Sequence, residues 1–382
     1  MASFLGLRII HFLALLGNLI LANHVLVEGR VDRSSMLMKE QQLNIERQLN
    51  LLNKSPVKTM HTAWGDIYDC IEIHKQPALD HPLLKDHKIE MQEDSVSTNS
   101  LNSFINQVDE CPKGTVPIRR TTREDLIRAN LLSNSESNQY RAGVSYVTKL
   151  GETIYGASGV VNVWNPIVNQ DQFSSAEITL QSGSGEQMSV IKYGWTVDPQ
   201  LYGDNVTRSF VYWTADGGKK TGCYNTLCPG FVQVHPKWVP EMPFSHASKI
   251  DGTQVTFSAQ ITLDDAEGKW WLTIQRDIRI GYWPKALFPA FAPGAASVFW
   301  GGRVKSGIDG MSPPMCSGQP INDAYPAKAG FINSLQYVDM DNQYVNPEKI
   351  ESIIDCPEHY NAKYFQGNSD LHFGGSGGAN CK

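Results

Sequence analysis

From about Tyr140 to the C-terminus the chain runs in short stretches that alternate apolar and polar residues. Alternation with a period of two predicts half-buried strands. Val160–Trp164, Ser175–Leu180, Val190–Val197, Arg208–Thr214 and Gly230–His235 fit it. So do Gln254–Leu263, Trp270–Arg276, Ile278–Tyr282, Ser297–Val304 and Gly330–Val338. Turns such as SGSGE, DGG, DGT and DDAEG separate these runs, and no helical crossover pattern intervenes. The prediction is a mainly β protein built as an antiparallel two-sheet β-sandwich. In Val190–Val197, Ile191, Tyr193, Trp195 and Val197 share one face and read as core. Lys192, Gly194 and Thr196 take the other face, where a small residue beside a long polar one suits the floor of a groove.

The residues before Tyr140 read differently. Ser35 is placed to cap a helix in which Met38, Ile45, Leu49 and Leu52 recur near helical spacing, and Pro56 ends it. Asp66–Ile73 alternates like a strand, and Pro77 and Pro82 impose extended geometry after it. Glu93–Ser103 is polar and reads as a loop. Thr121-Thr-Arg-Glu124 matches a capping box ahead of a short helix, Asp125–Leu132. Ser133–Gln139 is a polar linker, the kind of exposed tip where proteolysis concentrates. At the start, Arg8 precedes a mostly apolar run, Ile9–Ala22, too short to span a bilayer. It reads as a secretory signal peptide with cleavage near Ala22 or after Gly29. The division is therefore 1–24 signal peptide, 25–139 a small α+β segment, and 140–382 the sandwich.

Composition narrows the function classes. A formal net charge of −6 and a sequence pI near 5.9 argue against nucleic acid as a partner. No later run is apolar enough to cross a membrane. Seven cysteines in a secreted chain imply disulfides. Cys223 and Cys228 are close enough to staple one loop, Cys356 and Cys381 close the C-terminal segment, and Cys70 and Cys111 then pair upstream. Cys316 is left over and reads as a buried thiol. Asn205-Val-Thr207 is a glycosylation sequon on a turn, whereas Asn53-Lys-Ser55 is weakened by Pro56.

Several motifs carry a resemblance. YGWTVDPQLYGDNVTR, YWTADGGKKTGCYNTLCPGFVQV, SGVVNVWNPIV, IGYWPKALF, FWGGRV and FGGSGGANC resemble the neprosin family of secreted plant proteins. Upstream, Gly65–Ile89 and Cys111–Ala129 are similar to that family's activation peptide. The resemblance implies a glutamic endopeptidase that cuts next to proline, with its groove on one sheet's concave face. It also implies an N-terminal propeptide that shields the site, an extracellular setting in apoplast or cell wall, and no cofactor or metal.

Two-carboxylate hydrolysis needs one ionised group to activate water and one protonated group to donate. In the family, one glutamate precedes the small residue and Gly-Trp of the first motif, and the other follows Trp-Gly-Gly. In this chain those positions hold Lys192 and Arg303, with Gly194, Trp300, Gly301 and Gly302 expected to line the groove. Arginine does not deprotonate in proteins, so it cannot be a general base. The leading expectation is a non-catalytic protein that binds an extended peptide or cell-wall polymer. The rival is an endopeptidase using a relocated carboxylate, Glu177, on the preceding strand. A Lys192 base made possible by its cationic neighbour and a storage or structural role are weaker alternatives. His74, His81 and His87 lack regular metal-ligand spacing, and His235 and His246 have no evident nucleophile partner. Asp264, Asp265 and Glu267 read as a solvated turn, and Asp204 and Asp277 as structural.

Overall fold

The computed structural model describes residues 38–89, 109–132, 138–321 and 328–381. The signal peptide, the cap at Ser35, the Glu93–Ser103 loop and most of the Ser133–Gln139 linker lie outside the described residues. The chain divides into two compact units, Met1–Asn50 and Leu51–Lys382. Of the first, the structure describes part of a helix, α1 (38–52).

The second unit begins with strands β1 (Lys58–His61), β2 (Ile67–Glu72) and β3 (Thr115–Arg119), paired in that order, and helix α2 (Arg123–Leu132). The capping box is shifted by one residue from the expected one. Thr122 Oγ1 accepts from the Asp125 N–H while the Asp125 carboxylate accepts from the Thr122 N–H. Asp125 wins over Glu124 because it is buried between Arg119 and Arg128, whereas Glu124 is exposed.

The remaining strands are β4 (Gln139–Val147), β5 (Gly156–Asn162), β6 (Phe173–Ser182), β7 (Ser189–Val197) and β8 (Arg208–Thr214). Then come β9 (Cys223–Tyr224), β10 (Val232–Gln233), β11 (Thr256–Asp264), β12 (Lys269–Ile274), β13 (Ile278–Pro284) and β14 (Ser297–Lys305). The chain closes with β15 (Met311–Ser312), β16 (Gly330–Val338), β17 (Tyr344–Val345), β18 (Glu351–Ile354), β19 (Asn361–Phe365), β20 (Asp370–Gly374) and β21 (Gly378–Ala379). A seven-stranded sheet has the order β18-β4-β14-β6-β7-β8-β9. The facing nine-stranded sheet runs β10-β13-β12-β11-β5-β16-β20-β19, with β17 paired to β16. Every strand pairing among the described residues is antiparallel, as the alternation predicts.

The core lies between the sheets. Ile191, Tyr193, Trp195 and Val197 are buried there with Ile178, Leu180 and Trp300. Buried indoles need an acceptor, and two of them bridge the layers: Trp195 Nε1 donates to Asn162 O at 2.7 Å and Trp300 Nε1 to Ser158 O at 3.0 Å. Disulfides join Cys70 to Cys111, Cys223 to Cys228 and Cys356 to Cys381, and Cys316 is a buried free thiol.

From Leu51 on, the segment ahead of Tyr140 packs into the same unit as the sandwich. Gln76 donates to Gln233 O at 3.0 Å and accepts from its N–H at 2.8 Å, doing for edge strand β10 what a neighbouring strand would do. A buried ion cluster lies beside it. Arg208, 2 % exposed, reaches Asp66 of the segment and Asp204, and Asp66 also accepts from Arg119 at 2.9 Å. Removing one partner of such a pair strands a buried charge. Asp66→Asn is therefore expected to lower the urea midpoint by the equivalent of ~3–5 kcal/mol. An unchanged midpoint would show that the cluster contributes nothing to the docking of the segment.

Candidate functional site

The outer face of the seven-stranded sheet carries the residues opposite the core. Register fixes which of them meet. Glu177 on β6 pairs with Gly194 on β7 and with Gly301 on β14, and Gly301 pairs in turn with Gly143 on β4. A β-carbon at Gly194 would lie 1.9 Å from Ala176 O, and one at Gly143 would lie 2.2 Å from Trp300 O. No larger residue fits these two positions without moving backbone. Across four strands, Glu177 is thus the one side chain in a row otherwise made of glycine.

Lys192 and Arg303 flank that row, two residues along their strands to either side, and both turn to Glu177. Arg303 Nε and Nη2 each lie 2.9 Å from Glu177 Oε1. Lys192 Nζ is 3.7 Å from the same oxygen, and Thr179 Oγ1 donates to it at 3.1 Å. The Lys192 ammonium also lies over the Tyr212 ring, 5.3 Å from its centroid. Glu177 is 2 % exposed, while the Lys192 and Arg303 side chains are 15 % and 18 % exposed. Burial would raise the Glu177 pKa, but the Arg303 and Lys192 charges, with hydrogen bonds from Arg303 and Thr179, hold it below the ordinary glutamate value. Burial opposes the charge on Arg303 in the same way, and Glu177 reverses that effect so that its pKa rises. The three groups form an ion triad with one net positive charge.

Other acids near this face are committed elsewhere. Asp355 accepts from Arg141 Nε at 2.8 Å and is held below the usual carboxylate range despite partial burial. Asp198, four residues beyond Gly194, caps helix α3 (Pro199–Tyr202) through the Leu201 N–H, and burial pushes it up to about 6. Four residues of strand place it about 13 Å from the Glu177 row. That is too far for the two carboxyls to share one water.

The sequence matches the neprosin family over residues 170–376 and the neprosin activation peptide over residues 59–153. The chain belongs to the neprosin family. Among solved structures it is similar to scytalido-glutamic peptidase bound to a peptide-based transition-state analog, with a TM-score of 0.36 and 10 % identity over 62 % of this chain and 98 % of that one. It is similar at the same identity and coverage, with a TM-score of 0.35, to SCP-B, an eqolisin-family peptidase in complex with the tripeptide Ala-Ile-His. Neither similarity is close enough to carry residue roles.

In this neprosin-family chain, Lys192, Arg303, Glu177, Gly194 and Gly301 come together. Trp300 and Gly302 do not, and the expectation that they line the groove is corrected. They sit one residue either side of Gly301, and the pleat turns both inward. Trp300 is fully buried, and a β-carbon on Gly302 would meet Met315 Sδ at 2.4 Å. Thr179 and Tyr212 were missed, although each follows from alternation on a strand already recognised.

The remaining candidates are packed or paired. His87 hydrogen-bonds Tyr282 at 2.7 Å, and His81 stacks edge-on to Trp213. His235 Nδ1 accepts from the Lys237 and Trp238 N–H groups. Cys356, His359 and Cys381 lie close together, but their disulfide removes both thiolates as metal donors. Among the described residues no helix is long and apolar enough to cross a membrane.

Proposed function

We propose that this chain is a secreted member of a peptidase family whose groove binds an extended ligand without cutting it. The observation that carries the reading is Glu177, buried and ion-paired to both Lys192 and Arg303. A general acid–base pair needs two groups that exchange protons near the working pH. Here the positions that the family resemblance assigns to glutamates hold two cations, and the one carboxylate between them is neutralised. Glu177 as a relocated catalytic acid is disfavoured by the same contacts, since it is ionised, enclosed and without a protonated partner. Lys192 lies beside the Glu177 carboxylate and not only beside a cation.

The ligand class is a peptide or cell-wall polymer. The net positive charge favours one bearing carboxylates. The three disulfides fit an oxidising compartment, and we place the protein in the apoplast or cell wall. The activation-peptide segment is the chain's own partner, with its boundary at about residue 139. Asn205 is exposed on the turn before β8 and is the proposed glycan acceptor.

The test is direct. The protein, intact and after cleavage just before Tyr140, is assayed on proline-containing peptides from about pH 3 to pH 8. No turnover above buffer is expected. Turnover that disappears in Glu177→Gln would overturn the proposal. Binding is followed with a proline-containing hexapeptide bearing several glutamates. Arg303→Ala is expected to weaken it by about tenfold or more, and unchanged affinity would remove the anion-binding part of the reading.

A further inference from the structure

The second sheet carries a cavity that the groove does not use. It has a volume of about 340 Å³, within the range of small-ligand sites, and opens between the β11–β12 turn and the β16–β17 hairpin. Asp264 and Asp265 stand on the turn side, Asn342 and Tyr344 on the hairpin side, and Trp271 and Arg279 also line it. The Arg279 guanidinium stacks on the Trp271 ring, 4.4 Å from its centroid.

Several polar side chains around this cavity have no hydrogen-bond or ion partner among the described residues. The salt bridges and hydrogen bonds among the described residues include none from the Arg279 guanidinium, the Asn342 amide or the Tyr344 hydroxyl. Asp265, by contrast, is paired with Lys285 and Asp264 accepts from the Glu267 N–H, so each has one carboxylate oxygen engaged. Tyr344 is 47 % exposed and offers a ring face to a ligand.

We infer that this cavity is a second binding site, and that it takes a short oligosaccharide carrying a carboxylate. Two features of the cavity select that chemistry. First, the lining strands β11, β12 and β16 each have a neighbour on both sides, and the one edge strand at the cavity, β17, is two residues long, so an extended peptide finds almost no strand edge to pair with. Recognition there has to come from side chains. Second, donors (Arg279, Asn342) and acceptors (Asp264, Asp265) share one space. That suits a ligand whose groups each donate and accept, which hydroxyls do. Tyr344 supplies an apolar face for a sugar ring, and Arg279 supplies a fork for the carboxylate. The site lies on the opposite sheet from the ion triad, so it stands or falls apart from the groove.

The experiment is calorimetric titration of the intact protein with digalacturonic acid and, separately, with cellobiose. One-to-one binding is expected for both, with the acidic disaccharide about tenfold tighter. Arg279→Gln is expected to erase that preference, and Tyr344→Ala to weaken both sugars by about tenfold. Both positions are at the surface, and thermal melts confirm that each variant is folded. Absence of binding to either sugar at about 10 mM would overturn the inference. So would affinities unchanged in both variants, or displacement of the sugar by a short polyglutamate peptide.

Discussion

Replacing Glu177 by glutamine is expected to lower the melting temperature at pH 7 by roughly 6–12 °C, an effect far larger than that of an ordinary surface substitution. The carboxylate is the shared counter-charge of Arg303 and Lys192, both of which are mostly enclosed. Without it two cations face each other with one amide between them. Breaking a buried pair in this way costs ~3–5 kcal/mol, and in a domain of this size each kcal/mol moves the midpoint by about 2–4 °C. The residual exposure of the two cations puts the expected value toward the low end.

The pH dependence has a definite sign. The Glu177 pKa is depressed on folding. Its stabilisation is therefore fully present above the unfolded value, about 4.3, and is lost as the pH falls through the folded value. The parent should lose stability on acidification through that window while Glu177→Gln loses less, so the two melting curves converge as the pH falls below the unfolded value. Melts of both proteins across that range test it. A constant gap between them would mean that the charge of Glu177 is not what stabilises the triad.

Much of this was legible in the alternation of the chain. Arg208–Thr214 and Gly330–Val338 are strands with the bounds the pattern gives, and Val190–Val197 and Ser297–Val304 are each one residue short of theirs. Strand Gln139–Val147 shows in the sequence only as the start of the sandwich, because its neighbours β14 and β18 lie far along the chain and supply its burial. The C-terminal strands are short and interrupted by Pro357 and turn residues, which leaves little period to detect. The triad was half visible. Alternation put Lys192 on the groove face and made Glu177 a candidate for it. Their meeting with Arg303, 126 residues from Glu177, depends on how β6 registers with β7 and β14. Local sequence does not specify that register. Reading Trp-Gly-Gly-Arg as one groove-lining unit failed for the opposite reason: the pleat separates adjacent residues, however conspicuous the motif.

The triad also changes what glutamates at positions 192 and 303, where the resemblance assigns them, should do. Lys192→Glu/Arg303→Glu alone is expected to fold poorly and remain inactive. Three carboxylates would then crowd the region where Lys192 and Arg303 now meet the same Glu177 oxygen, and like charges so close cannot all ionise. The protons would be shared among three groups instead of being divided between an acid and a base. Adding Glu177→Gln removes the surplus charge and leaves an amide able to donate to one carboxylate and accept from the other. The triple variant should therefore regain the melting temperature lost by the double variant. After cleavage before Tyr140 it should hydrolyse proline-containing peptides at acidic pH, at least about 100-fold above the parent's background, the lower end of what positioned acid–base groups supply. Gly194 and Gly143, which keep the row open, are untouched by these substitutions. A triple variant that folds like the parent yet shows no turnover would mean that the groove has lost more than its charges. A parent that already cuts at the triple variant's rate would mean that the cations never disarmed it.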